Sequence, residues 1–320
     1  MLRSIANRFP GRLLLGLVLA ASCTGWAVAD SSTPLLASYY ERHLAICGGD
    51  AYEWSGDGKP AATMRDIVQV GVGRNDSYAL SRDGRLHGWS ADFREAEVLL
   101  DDAVSFAAGD SGVLAIRTDG SLWSVGRSSD RLPGRGRIEI AQIAVNVKAA
   151  SVGDGTNYYV TANGDLYARG NAHRGQYGDG RLDGTDRYVR VASAVLDVRS
   201  HTGHAILITD VGDVRGTGGN IHGPLGRHGL GDKAVRWGTL FAGATGIATG
   251  ASHSLAIRAD GSLWIWGRNE SPEPRRVLAR VVGAAAGSDA SIALTQDGSP
   301  WQCRTGRQPA LVLRCPETNR

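Results

Sequence analysis

Residues 250–267 read GASHSLAIRADGSLWIWG, and this stretch decides the fold. It holds two short runs, Ser254–Arg258 and Ser262–Trp266, whose residues suit a pleated surface, separated by Ala-Asp-Gly. Asp-Gly between two such runs is a strong hairpin signal, because Gly261 takes the positive φ of the turn at no steric cost. A lone hairpin of this size cannot bury its own faces in water. It needs neighbours.

The rest of the chain supplies them. SYALSRDGRLHGW ends at Trp89, VLAIRTDGSLWSVG at Gly126, YYVTANGDLYARG at Gly170, AILITDVGDVRGTG at Gly218 and SIALTQDGSPWQC at Cys303. A degenerate copy, LAICGGDAYEW, opens the series at Leu44. The turn glycines Gly49, Gly84, Gly120, Gly164, Gly212, Gly261 and Gly298 are spaced by 35, 36, 44, 48, 49 and 37 residues. Seven units thus share a fixed hairpin and differ in the loop that follows it.

A second landmark fixes the register. Eleven residues before the turn glycine stands Gly73, Gly109, Gly153, Gly250 or Gly287, with His201 in the fifth copy. Each follows a run of small apolar residues such as AVSFAAG or VGAAAG, which suits an innermost strand crowded against a central axis. Each unit then reads strand, tight turn, strand, Asp-Gly turn, strand, loop, and a fourth strand near segments such as Arg276–Leu278. Seven such repeats predict an all-β fold, a seven-bladed β-propeller of four-stranded antiparallel blades.

Composition agrees with this and narrows the function. Forty-four glycines among 320 residues suit a turn-rich array, and residues 30–320 are read as a single propeller domain. Residues 1–29 differ: Arg3, Arg8 and Arg12 precede the apolar Leu13–Ala21, and Ala27-Val28-Ala29 forms a small-residue cleavage site. This is the pattern of a secretory signal peptide, so the expected location is periplasmic or secreted. Ala20-Ala21-Ser22-Cys23 offers the alternative of a lipoprotein anchored through Cys23. Removing residues 1–29 takes three arginines and no acid, lowering the formal charge from +3 to zero. That balance argues against a nucleic-acid partner, and no later stretch is apolar for long enough to span a bilayer.

Three cysteines would then remain. Cys303 and Cys315 are candidates for a bridge stapling the C-terminal edge, with Cys47 as an alternative partner across the ring closure.

The fourth and fifth units carry long insertions, NAHRGQYGDGRLDGTDR (Asn171–Arg187) and NIHGPLGRHGLGD (Asn220–Asp232). Together with the G-x-x-H-S-L-A-I-x-x-D-G-S-L-W-x-W-G-x-N of Gly250–Asn269, these N-x-x-G-[QP]-[YL]-G loops resemble the regulator of chromosome condensation repeat family. The resemblance covers nearly all of residues 30–320. It implies a seven-bladed propeller used mainly for protein binding. One eukaryotic branch exchanges guanine nucleotide on a small GTPase at chromatin, while a secreted bacterial relative plugs an enzyme's active site. The signal peptide and the neutral charge are more similar to the secreted kind. The chain departs from the family's histidine column, which His204 and His253 keep but Asp76, Gly112, Thr156 and Ala290 replace.

Strand parity puts the tight turns after the innermost strands on the same face as the two long loops. That face collects Asp76, Asp110, Asp154, His201, His204, His253 and Asp289 around the axis, with His173, Arg174, Tyr177, His222 and Arg227 on the loops. Such a rim suits a basic side chain or a cation, although Asp and Gly are also what tight turns require by themselves. No spacing of nucleophile and base, no phosphate-binding loop and no metal-ligand pattern is found. Arg181 and Arg190 stand where a calcium loop at Asp179 needs oxygen ligands. The expectation is a monomeric, non-enzymatic propeller without cofactor or metal that binds a protein partner through this face. The alternatives are a channel-mouth enzyme, a nucleotide-exchange regulator, and an envelope assembly factor.

Overall fold

The computed structural model describes residues 36–39, 42–56, 58–74, 76–90, 93–110, 112–127, 138–226, 231–267, 272–288, 290–304 and 308–312. Residues 1–29, read above as a signal peptide, and with them Cys23, as well as Arg227, Asp289 and Cys315, lie outside them. The described residues form 28 strands and no helix, arranged as seven sheets of four consecutive antiparallel strands. This is the seven-bladed propeller that the repeats predict. Blades 1 to 7 span residues 36–64, 67–100, 103–144, 147–192, 195–241, 244–278 and 281–311. The hairpin of residues 250–267 becomes the strands His253–Arg258 and Leu263–Gly267 of blade 6, with Ala244–Thr249 innermost and Arg275–Leu278 outermost.

The Asp-Gly turns do more than reverse the chain. The turn-glycine carbonyl accepts a hydrogen bond from the first residue of the next blade: Ile67 to Gly49 (2.9 Å), Ala103 to Gly84 (2.9 Å), Val147 to Gly120 (3.0 Å) and Val195 to Gly164 (3.0 Å). Ala244 to Gly212 (3.0 Å) and Val281 to Gly261 (2.8 Å) continue the series. One glycine therefore closes its own hairpin and sets the origin of its neighbour. The Asp-Gly-Ser-x-Trp form has an equally local cause. Asp260 Oδ1 accepts from the Ser262 amide (2.8 Å), and Ser262 Oγ accepts from the Trp264 indole (2.9 Å); Asp119, Ser121 and Trp123 repeat the pattern.

Blades pack face to face, and the large rings lie between them. Trp266 is fully buried, with Trp54 and Trp89 nearly so, while Trp123, Tyr167 and Trp264 are partly buried against neighbouring blades. Aromatic area of this kind supplies much of the burial that a lone sheet lacks. The ring closes through side chains, since blades 1 and 7 are each built from consecutive strands. Leu36, Ala45 and Trp54 of blade 1 meet Ile292 and Leu294 of blade 7, with Val312 packed alongside.

Cysteine usage corrects the expected bridge. Cys47, the alternative named above, is disulfide-bonded, whereas Cys303 keeps its thiol. The Cys303 side chain is buried in the apolar cluster between blades 6 and 7, with Leu255, Leu263 and Ile265. Because Cys47 ends a strand of blade 1 beside the ring closure, Cys47→Ser is expected to cost about 2–4 kcal/mol. Reductant should lower the Tm of the parent protein but not that of the variant, as scanning calorimetry would register.

Candidate functional site at the channel mouth

Seven innermost strands leave a central cavity of about 150 Å³, walled by small residues such as Ala37, Gly71, Ala107, Ala150, Ala248 and Ala285. Its polar groups mostly satisfy one another across blades. Gln69 donates to the Phe106 carbonyl (2.6 Å) and accepts from the Phe106 amide (3.2 Å), and Ser151 and Ser200 hydroxyls lie 2.9 Å apart. Arg199 is held by Asp197 at 2.6 Å. A tube whose hydrogen bonds are already made has little left to offer a polar ligand. Chemistry therefore concentrates at its mouth.

The mouth is built by the tight turns. Gly73, Gly153, Gly250 and Gly287 amides donate to the carbonyls of Asp76, Thr156, His253 and Ala290 (2.8–2.9 Å), and His201 to His204 (3.2 Å) closes the same turn in blade 5. These glycines exist for closeness. A Cβ on Gly109 would stand 2.5 Å from the Val152 carbonyl of the next blade, and one on Gly73 would stand 2.8 Å from Gly109 O. The turns thus converge, and the side chains they carry ring the axis in blade order.

Asp110 of blade 3 accepts a short ion-pair bond from Arg74 of blade 2, and the charge of Asp154 of blade 4 acts on its carboxyl. Burial first, and then the charge of Asp154, push the Asp110 carboxyl up to about 6. Arg74 pulls the other way, but with 59% of its side chain exposed it is screened by water. His201 and His204 are buried, which lowers them to about 4 and about 3 respectively, so both are neutral imidazoles near pH 7. His253 Nε2 lies 2.7 Å from the Ser291 hydroxyl of blade 7, and His204 Nε2 lies 3.5 Å from Ser254 of blade 6. The two histidines that keep the column thus each reach a serine on the next blade. Arg42 does this in blade 1, bonding Ser77 of blade 2 from a position that no histidine marks in the sequence. The His253–Ser291 pair resembles a nucleophile with its base, but Ser291 is fully buried and no substrate can reach it.

Among the predicted rim residues, the structure leaves Asp154 exposed, Asp76 and Asp110 half-buried, and His201 and His253 buried. The loops lie on the same face as expected: Arg174 packs over Gly203, in the rim turn of blade 5. Their composition needs a correction, because Tyr177 is not a surface residue. It is fully buried, its hydroxyl donating to Gly170 O (2.8 Å) and accepting from the Thr185 amide (3.2 Å). The loop around it is clasped to blade 5, where Thr217 Oγ1 donates to Gly175 O (2.7 Å) and Gly180 N donates to Val235 O (2.8 Å). The second loop repeats the device on blade 6. Leu225 is fully buried, and Pro224 O accepts from the Trp266 indole (2.7 Å) and Ser254 Oγ (2.9 Å). The [QP]-[YL] positions are thus plugs between blades. His173, Arg174 and His222 remain exposed, next to Ile221 at 72% exposure. No group of three or more His, Cys, Asp or Glu among the described residues is arranged to hold a metal ion.

Residues 244–271 match the Regulator of chromosome condensation (RCC1) repeat. Curated relatives include the Ultraviolet-B receptor UVR8 of Arabidopsis thaliana, 29% identical over 75% of this chain and 57% of that protein. The human Regulator of chromosome condensation is 27% identical over 62% of this chain and 55% of its own length. The mouse E3 ubiquitin-protein ligase HERC2 is 27% identical over 64% of this chain but only 5% of that protein. The chain therefore spans little more than half of the first two and a small part of the third. Solved structures of similar fold include Prp20p of Saccharomyces cerevisiae, at TM-score 0.69 and 16% identity over 81% of each chain. Human WBSCR16 is similar at TM-score 0.70 and 17% identity, over 84% of this chain and 89% of that one.

Proposed function

From the premise that this chain carries the regulator of chromosome condensation repeat and is homologous to the propellers built from it, we propose that it is an exported, non-enzymatic protein-binding propeller. The partner docks on the channel-mouth face. The observation that carries this reading is the gathering of ionisable side chains from successive blades on one face. Asp110 and Asp154 lie at its centre, and exposed His173, Arg174, Ile221 and His222 stand on loops clasped rigidly beneath. Such preorganisation lowers the entropy lost on binding. Relatives lend support: Prp20p is described with its binding to Gsp1p and histones, and the yeast protein also in complex with Kap60. A central carboxyl pair suits a cationic side chain on the partner.

The test uses cross-linked capture from envelope extract with three forms of the protein. Asp154→Lys and Arg174→Glu should each reduce recovery of the partner by about tenfold or more, in line with a lost interfacial charge pair. Val211→Glu, on the opposite face at 75% exposure, should leave it unchanged. Equal recovery by all three forms would move the docking site elsewhere. Export is tested separately, by mass spectrometry of the mature N-terminus. Asp30 there supports signal-peptide cleavage, and a lipidated Cys23 supports the envelope-anchored alternative.

A further inference from the structure

We infer that the central channel is a socket for an amphipathic cation, taking a compact apolar group between the innermost strands while an ammonium rests at the rim on Asp154. The socket is argued from the channel itself; that a docking partner supplies the cation rests on the face proposed above.

The wall decides what can enter. Its methyl groups come from Ala37, Ala107, Ala150, Ala248 and Ala285, one from each of five blades. The polar atoms between them are already bonded within the protein. Ser38 Oγ lies 2.8 Å from His43 Nδ1, Gln69 bonds both the amide and the carbonyl of Phe106, and the Ser151 hydroxyl meets the hydroxyl and the amide of Ser200. Arg199 donates to Asp197 and to the Val198 carbonyl. A ligand hydroxyl or carboxylate would leave water there without regaining its bonds, whereas an apolar group is driven in by leaving water. The volume of about 150 Å³ equals that of apolar cavities that take up benzene, so the fit is to one ring or one branched aliphatic group.

The rim decides the charge. Asp154 is exposed and lines the same cavity, at the end where the tight turns converge. The turns of blades 3 and 4 approach closely there, since a Cβ on Gly109 would stand 2.5 Å from Val152 O. Asp110 and Asp154 each follow the glycine of one of these two turns. Arg74 is engaged by Asp110 and so offsets one carboxylate of the two. His201, also on the wall, is held neutral by its burial. An anion would have to pass the Asp154 carboxylate, and a neutral apolar molecule would draw nothing from it. A cation with an apolar body uses both features at once.

Phenethylamine, one ring and one ammonium, is the probe. Titrated into the purified protein with carbon-13 alanine methyls, it should shift the Ala107, Ala150 and Ala285 signals and saturate at on the order of 1 mM or below. Phenylacetate lacks the cation and ethylamine lacks the ring, and each should bind about tenfold more weakly or worse. Asp154→Asn, at an exposed position that is safe for folding, should weaken phenethylamine about tenfold and leave benzyl alcohol, a neutral ring, within about twofold of the parent. Ala285→Leu, which fills the channel, should weaken both; a melting curve checks its assembly, and the ligand series and Asp154→Asn decide without it. Channel methyls unmoved by phenethylamine at about 10 mM would overturn the socket. Phenylacetate binding as well as the amine, or parent affinity in Asp154→Asn, would overturn the cation. Partner capture under saturating phenethylamine then separates the sources. A fall of about tenfold supports a partner that itself carries the apolar group and its charge. Unchanged capture alongside amine binding overturns the partner as the source and leaves a free amine as the ligand. Capture indifferent to Asp154→Lys would refute the docking face and leave the socket standing.

Discussion

Gly250→Ala is expected to be among the most damaging single substitutions in this protein, although it adds one methyl group to a residue with ordinary backbone angles. The new Cβ would stand 2.3 Å from the Gly287 carbonyl of blade 7 and 2.4 Å from Cε1 of His253. A flexible side chain could move aside; a carbonyl in the neighbouring sheet cannot, because Ala251 N also donates to it (3.0 Å). His253 cannot retreat either without losing its bond to Ser291. Relief must come from separating blades 6 and 7 at the axis, where Ala286, Ala293 and Ala248 are packed. Overpacking of this kind costs about 3 kcal/mol or more. At this size that lowers Tm by roughly 6–12 °C. Gly283→Ala provides the control, since nothing lies within 4 Å of its added Cβ and its φ is ordinary. Differential scanning calorimetry of the pair decides the matter. Equal Tm values would mean that the blades do not approach at the axis as described.

Tyr177→Ala is the second large effect. If the long loop were a free recognition surface, trimming Tyr177 would leave stability alone and weaken binding. The clasp predicts the reverse order. Truncating a fully buried aromatic leaves a cavity among Val195, Ala205 and Ala172, and costs about 3–5 kcal/mol. Tyr177→Phe keeps the volume but loses the hydroxyl's bond to Gly170 O and the one it accepts from the Thr185 amide, for about 1–2 kcal/mol. Leu182→Ala, on the same loop but 41% exposed, should stay within about 0.5 kcal/mol of the parent. Urea unfolding of the three variants separates the readings, and a Tyr177→Ala protein as stable as Leu182→Ala would mean the loop is not clasped. Leu225, which plugs the next interface, should behave as Tyr177 does.

Tyr177 also marks where reading the sequence stops. The loop's glycines, its face of the propeller and its likeness to Asn220–Asp232 were legible from chain order and parity alone. That the tyrosine turns inward was not, because its socket is made by Val195 and Ala205 of the following blade and no spacing within the loop encodes it. Arg42 is similar: as the first residue of a strand in an eroded repeat it looks unremarkable, and only its reach to Ser77 of blade 2 places it in the histidine column.

What the sequence determined by itself was periodic and local. Recurring turn glycines, small-residue runs and, in five of seven units, a glycine eleven places before the turn settle the number of blades and strands and which ends share a face, since each follows from rules acting within a few residues. What only the tertiary structure decided was relational: which side chains plug an interface, that Cys47 and not Cys303 is bridged, and that Arg74 and Asp110 meet. Those outcomes depend on distances between residues some forty positions apart, fixed by how one sheet leans on the next.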